Sequence, residues 1–312
     1  MMVKIDLITG FLGSGKTTFL KKYAARLMEQ GCNLGILEND FGAVNVDMML
    51  LKDLEGDHCE LEMVSGGCDA DCHRRRFKTK LIAMGMCGYD RVIVEPSGIF
   101  DMDEFFDILR EEPLDQWYEI GSVIAVVDAG LDCGQSEAAD YLLASEAAGA
   151  GCIVLSKVKN VSAEQTEAVK AHLEQAMKKV GCRRSLFGHI IASDWEQFTE
   201  EDYQRLMNCG YEPASYRKTD AAAAFDSLFF MNLELTAEEL KERTARLFEE
   251  PGCGHILRVK GFVKAEDGRW LELNATLREQ TLAVSPDGQE VLIVIGEQLS
   301  KETIGRILKG KN

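Results

Sequence analysis

"VKIDLITGFLGSGKTTFLKKYAARLMEQG", residues 3–31, holds an apolar run, a glycine-rich loop and a helical stretch in unbroken succession. The run over 3–9 reads as a buried strand. The loop from Gly10 to Thr17 fits G-x-x-x-x-G-K-[ST], and the residues after Lys16 repeat apolar side chains at helical spacing. Strand, loop, then helix is the setting this motif requires. Gly10, Gly13 and Gly15 let backbone N–H groups turn inward onto phosphate oxygens, and the start of the helix adds a favourable dipole. Ser14 and Thr18 complete the cradle. Lys16 is expected on the β- and γ-phosphates of a nucleotide, and the Thr17 hydroxyl on Mg²⁺.

Further short apolar runs follow: "NLGILEN" (33–39), "DRVIVE" (90–95), "SVIAVVDA" (122–129) and "CIVLSK" (152–157). Between several of them lie amphipathic stretches such as "SAEQTEAVKAHLEQAMKKVG" (162–181). Near-continuous apolar strands alternating with helices predict an α/β fold, a P-loop NTPase with a mainly parallel sheet covered by helices on both faces. The pattern changes after about residue 210. "CGYEPASYRKTDAAAAF" lacks periodicity, and beyond it strand patterns such as "HILRVKGFV" and "EVLIVIG" stand beside helical ones. The expected division is a nucleotide domain over 1–212, a linker over 213–224 and a small α+β domain over 225–312.

The 312 residues carry a formal net charge of -17, which repels phosphate backbones and argues against a nucleic-acid partner. No apolar run reaches the roughly 18 residues that span a bilayer, so no membrane partner is expected. The ten cysteines are scattered without the pairing of a disulfide scaffold, and "MMVKIDLITG" runs straight into a strand. A cytoplasmic setting with reduced thiols is the expectation.

Three stretches carry the remaining chemistry. "DRVIVEPSG" delivers Glu95 to the end of a central strand, where an acid holds Mg²⁺, and Gly98 permits close approach to a γ-phosphate. "ENDFGAVNVD" (38–47) gathers acids around Gly42, which suits a switch loop sensing γ-phosphate and metal; Asp40 is the acid expected to orient the attacking water. In "SGGCDADCHRRR" (65–76), a helix places Cys68 and Cys72 at i and i+4 on one face, with His73 about 100° round from Cys72. Two thiolates with an imidazole and a carboxylate suit Zn²⁺ or Co²⁺. A helix start and the arginines 74 to 76 favour thiolates there. Two packed core cysteines, a redox pair, or a cluster shared across a dimer are the other readings. His172, set among polar residues, reads as a surface side chain.

Taken together, "TGFLGSGKTTFL", "ENDFG", "SGGC", "VIVEPSG", "AVVDA" and "ILRVKGF" resemble the CobW-like P-loop GTPases, relatives of the urease and hydrogenase nickel-insertion GTPases. The resemblance spans nearly the whole chain. It implies a metallochaperone or metal-insertion factor, slow GTP hydrolysis used as a switch, zinc or cobalt as cargo, a metalloenzyme client and a nucleotide-dependent homodimer. It also implies that Glu38 joins the thiolates as a metal ligand. Two positions depart from the family pattern. The guanine-reading N-K-x-D is "SKVK" here; Ser156 and Lys157 remain to hold the base, but Lys159 has only donors where the family's Asp accepts two hydrogen bonds. GTP and ATP therefore both stand as substrates. The metal motif C-x-C-C is replaced by Cys68, Ala70 and Asp71, with Cys72 and His73 following, and Ala43 stands where relatives often carry a further acid. The leading reading is a metal-responsive nucleoside triphosphatase. An adaptor for a metal- or corrinoid-dependent enzyme, and a small-molecule kinase using arginines 74 to 76 as a clamp, are the alternatives.

Overall fold

In the computed structural model, the described residues are 2–310 apart from 41–45, 67–69, Asp101, Asp220, Glu234, Glu266 and Asp287; the side chains of Asp40, Val46, Ala70 and Ala222 also lie outside the description. The chain divides into two compact units, residues 1–222 and 223–312.

The first unit runs β1 (Val3–Thr9), α1 (Lys16–Glu29), β2 (Leu34–Asp40), α2 (Val46–Leu51), β3 (Cys59–Ser65), α3 (Ala70–Gly85), β4 (Arg91–Pro96), α4 (Met102–Leu109), α5 (Leu114–Trp117), β5 (Tyr118–Asp128), α6 (Glu137–Gly149), β6 (Cys152–Ser156), α7 (Ala163–Lys179), β7 (Ile190–Ile191) and α8 (Glu200–Met207). The strands form one sheet in the order β3-β2-β4-β1-β5-β6-β7, and every pairing is parallel. The predicted α/β class is therefore the observed one. β1 and β4 are buried almost throughout, as strands covered on both faces must be. On one face Phe19, Leu20 and Tyr23 of α1 pack with Leu206 of α8 against Ile36, Ile93, Ile124 and Val154. Burial of such side chains contributes roughly 2 kcal/mol each, before the cost of ordering them.

The end of the sheet remote from the glycine loop is held by a buried polar knot. Asp6 accepts from Tyr23 Oη and Arg91 Nη1, both at 2.7 Å, and from the Ser122 N–H at 2.7 Å. The strand order reverses around β1, so the carboxyl ends of β1, β2, β4, β5 and β6 converge on one rim. That rim is where ligands bind in open α/β sheets.

The second unit is an antiparallel sheet with two principal helices: β8 (Phe225–Met231), α9 (Ala237–Glu249), β9 (His255–Lys264), β10 (Trp270–Ala275), β11 (Gln280–Ser285), β12 (Val291–Glu297) and α10 (Lys301–Leu308). Its strand order is β11-β10-β9-β12-β8. Leu240 and Leu247 of α9 and Ile304 and Leu308 of α10 share one core with Val259, Leu273, Leu292 and Val294. Thr236 and Glu239 form a capping box that starts α9. Among the described residues, no helix is long and apolar enough to cross a membrane.

Candidate functional site

The glycine loop joins β1 to α1 on the convergent rim. Gly10 has φ 151° and Gly15 φ 93°, the latter left-handed at the helix N-cap. A Cβ on Gly10 would stand 2.2 Å from the Val126 carbonyl oxygen, so only glycine fits there. The helices α6, α7, α8, α9 and α10 all start with a Ser or Thr side chain accepting a backbone N–H. α1 has no such cap and no acid in its first turn. Its first N–H groups and dipole are thus left for an anionic ligand. Lys16 is buried, its ammonium donating to the Gly10 carbonyl at 2.8 Å, and Ser14 Oγ is buried without a hydrogen-bond partner among the described residues. Gly13 has φ 76°, and Thr18 follows in the first turn of α1.

β4 brings Glu95 alongside. The Thr17 hydroxyl donates to Glu95 Oε1 at 2.7 Å, while Oε2 is buried with no hydrogen-bond donor among the described residues. Glu38 is the register partner of Glu95 on β2, and both are 3% exposed. Burial pushes the Glu95 carboxyl up to about 7, against the attraction of Lys16, with Asp47 adding to the rise. Two adjacent buried acids facing a threonine hydroxyl, one with an orphaned oxygen, fit a divalent cation; its charge would favour their ionised forms. Gly98 lies in the turn after β4, where a Cβ would stand 2.9 Å from the Leu12 nitrogen; the turn is packed directly on the glycine loop.

β6 ends at Ser156, whose Oγ is buried and without a hydrogen-bond partner among the described residues. Lys157 follows with φ 54°, a left-handed non-glycine residue, and its Nζ pairs with Asp128 Oδ2 at 3.0 Å. Such conformations cluster at ligand-binding positions. Lys159 is largely exposed and stands 3.9 Å from Asp194 Oδ2. Sequence reasoning passed over Trp195. Its ring lies 5.9 Å from that of Phe19, and its tip would stand 3.2 Å from a Cβ on Gly15, so it walls the helix start beside Ser156. The sequence signal was an aromatic residue just past the short strand β7.

Glu146 of α6 was also passed over. Its Oε1 accepts from Thr9 Oγ1 at 3.3 Å and its carboxyl takes the Gly10 N–H, so an acid sits beneath the loop. Burial pushes it up to about 8, against the attraction of Lys16.

The cysteine stretch differs most from expectation. Cys68 and the side chain of Asp40 lie outside the described residues. Cys72 is half-buried in the first turn of α3, and among the described residues no three His, Cys, Asp or Glu side chains cluster as a metal site. His73, expected among the ligands, is turned fully inward: Nδ1 lies 3.1 Å from the Gly66 carbonyl oxygen and Nε2 2.7 Å from Asn39 Oδ1. Its two nitrogens are committed to the protein, because helical spacing carried the ring beneath the helix rather than beside Cys72. Arg74 pairs with Glu111 and Arg76 donates to the Ser65 carbonyl, so neither converges on a phosphoryl clamp. His172 is also corrected: it is buried, with Nε2 2.9 Å from Asp140 Oδ1 of α6.

The model of the CobW/HypB/UreG nucleotide-binding domain matches residues 4–183. The zinc chaperone YeiR of Escherichia coli K12 is 27% identical over 175 residues, 56% of this chain and 52% of YeiR. The zinc chaperone YjiA of the same organism is 33% identical over 135 residues, 41% of each. The chain thus spans about half the length of the curated relatives it matches. Among solved structures, the Zn(II)-bound YjiA GTPase from E. coli covers 100% of this chain and 99% of its own, at 19% identity and a TM-score of 0.37. The hydrogenase maturation factor HypB from Archaeoglobus fulgidus covers 66% and 87%, at 15% and 0.42.

Proposed function

The chain belongs to the CobW/HypB/UreG family, and from that membership we propose that it is a nucleoside triphosphatase, with GTP as its substrate, that carries a transition metal to a client protein. The observation that carries this reading is the grouping of Lys16, Thr17, Glu95 and Glu38 at the uncapped start of α1. An ammonium, a hydroxyl and paired buried acids around an uncapped helix start suit a Mg²⁺-bound triphosphate. Thr17 and Glu95 would hold the Mg²⁺, which neutralises phosphate charge when bound.

In the proposed reaction Lys16 leaves the Gly10 carbonyl for the β- and γ-phosphates. The N–H groups of Gly13, Ser14, Gly15, Lys16, Thr17 and Thr18 cradle them. The backbone at Gly98 meets the γ-phosphate, and Asp40 orients the water that attacks it. Ser156, Lys157 and Trp195 receive the base. Zinc or cobalt is the cargo, held by Cys72 and Cys68 with Glu38 reaching both it and the nucleotide site. The second unit is the proposed client-docking module, two copies joined by nucleotide the proposed assembly, and the cytoplasm the proposed compartment. The names of two relatives as zinc chaperones favour zinc.

The test is a competition titration of zinc against a chromophoric chelator, with reduced protein and a non-hydrolysable GTP analogue present or absent, alongside GTP and ATP turnover. Tight zinc binding that needs both thiols in a Cys68→Ser/Cys72→Ser comparison, and that shifts with nucleotide, is the expected result. Turnover of neither nucleotide, or zinc binding indifferent to both thiols, refutes the proposal.

A further inference from the structure

His73 follows Cys72 on α3 and is completely buried. Its Nδ1 faces the Gly66 carbonyl, which can only accept, so Nδ1 carries the ring proton. A neutral imidazole has no second N–H. With Oδ1 of Asn39 at Nε2, the ring would have to be a buried imidazolium, and Asn39 Nδ2 would be buried with no hydrogen-bond partner. A half-turn of the amide, which leaves its shape unchanged, removes the buried charge: Nδ2 then donates to Nε2, and Oδ1 takes the other amide position. His73 is thereby a two-sided link. It donates to the Gly66 carbonyl, just past β3, and accepts from Asn39 near the end of β2.

Asn39 lies at a junction. The preceding residue, Glu38, is the register partner of Glu95, and the Asn39 carbonyl accepts the Ser97 N–H at 2.9 Å. Ser97 leads into Gly98, whose turn is packed on the backbone of Leu12 in the glycine loop. Contacts therefore run without a gap from α3 through His73, Asn39 and Ser97–Gly98 to the phosphate loop. Each is a hydrogen bond or a backbone packing contact, and the His73–Asn39 contact is fully buried, where a lost partner is costly.

We propose that His73 is a positioning residue: acting through Asn39, it ties the Cys72-bearing helix to the Ser97–Gly98 turn, so that nucleotide in the loop resets the start of α3. In this arrangement the Nε2 lone pair is engaged by the Asn39 amide rather than by a metal. The proposal rests on nucleotide binding at the glycine loop, as inferred above, and not on the identity of the cargo.

The first test needs no substitution. Nitrogen-15 spectra of the full chain assign the His73 tautomer and follow its ring nitrogens on adding the Mg²⁺-bound GTP analogue, then zinc. The expected result is an Nδ1–H tautomer with a slowly exchanging proton, an Nε2 resonance that moves with nucleotide, and no direct zinc coordination shift. In parallel, hydrogen exchange over residues 70–85 is measured with and without the analogue. The wild type responds; His73→Phe binds the analogue with unchanged affinity but loses the α3 response; and His73→Gln, which offers a donor and an acceptor, recovers part of it. An Nε2–H tautomer, a zinc-ligated ring, or an α3 response that survives in His73→Phe overturns the proposal. So does a wild type that binds the analogue while α3 stays unchanged. Failure to bind nucleotide at all, read beforehand as affinity, would instead defeat the functional reading and this inference with it.

Discussion

Glu38 and Glu95 stand side by side as register partners on adjacent parallel strands, both buried, with Thr17 donating to Glu95 at 2.7 Å. Two acids placed so closely out of water favour a divalent cation over two bare charges. Glu95→Gln preserves the shape and the threonine contact but removes the charge. Its expected effect is a 10- to 100-fold fall, by order of magnitude, in Mg²⁺-dependent hydrolysis. Nucleotide affinity without Mg²⁺ changes little. Steady-state turnover against Mg²⁺ concentration checks this.

Glu146 predicts a pH dependence of stability. Its folded carboxyl is raised to about 8 by burial, far above its unfolded value. Between those values the native state binds a proton that the unfolded state has lost, so stability falls as pH rises through this window and levels off above about 8. Glu146→Gln keeps an acceptor for Thr9 without the proton. The variant is expected to be the more stable by on the order of 3 kcal/mol at pH 9, with the difference vanishing near pH 4. Urea denaturation across pH 4–9 measures it, and a pH-independent difference would contradict the assignment.

Gly98→Ala tests the contact between the turn after β4 and the glycine loop. The new Cβ would stand 2.9 Å from Leu12 N and 3.0 Å from Leu12 Cα, so loop or turn must shift. Hydrolysis is expected to fall by on the order of 100-fold, the scale of small misplacements in a catalytic site, while the circular dichroism of the fold is retained.

Base selection is tested at residue 159. Lys159→Asp restores an acceptor of two hydrogen bonds where the family reads guanine. GTP over ATP discrimination, measured as the ratio of kcat/KM values, is expected to rise by on the order of 100-fold. An unchanged ratio would show that the base contacts residues other than 159, such as Trp195 or Asp194.

The sheet and the phosphate loop were legible because their signals are local. β1, the glycines and Lys16 follow one another within 14 residues, Val3 to Lys16, and each constrains the next. Glu95 was legible because an apolar run ended in an acid. Glu146 was not: "EAADYLLASEAAG" reads as an ordinary helix, and nothing in it says that one carboxyl faces Thr9, 137 positions earlier. His172 was misplaced for the same reason, since its polar neighbours along α7 hide a partner on α6. His73 was read by proximity to cysteine, whereas its surroundings come from β2 and the Gly66 turn, which only the parallel pairing brings within reach.

The strand order also sets how late β1 finds its neighbours. β1 precedes every other strand of its sheet, yet it pairs with β4 at Lys4↔Arg91 and with β5 at Val3↔Tyr118. As the chain leaves the ribosome, β1 waits for a partner until more than 80 further residues have emerged, and for its second until β5 follows. Pairings so distant close slowly and leave sheet edges open meanwhile. The glycine loop, carried between β1 and α1, gains its neighbours only when β4 and β5 arrive, so the rim it stands on is completed late in synthesis.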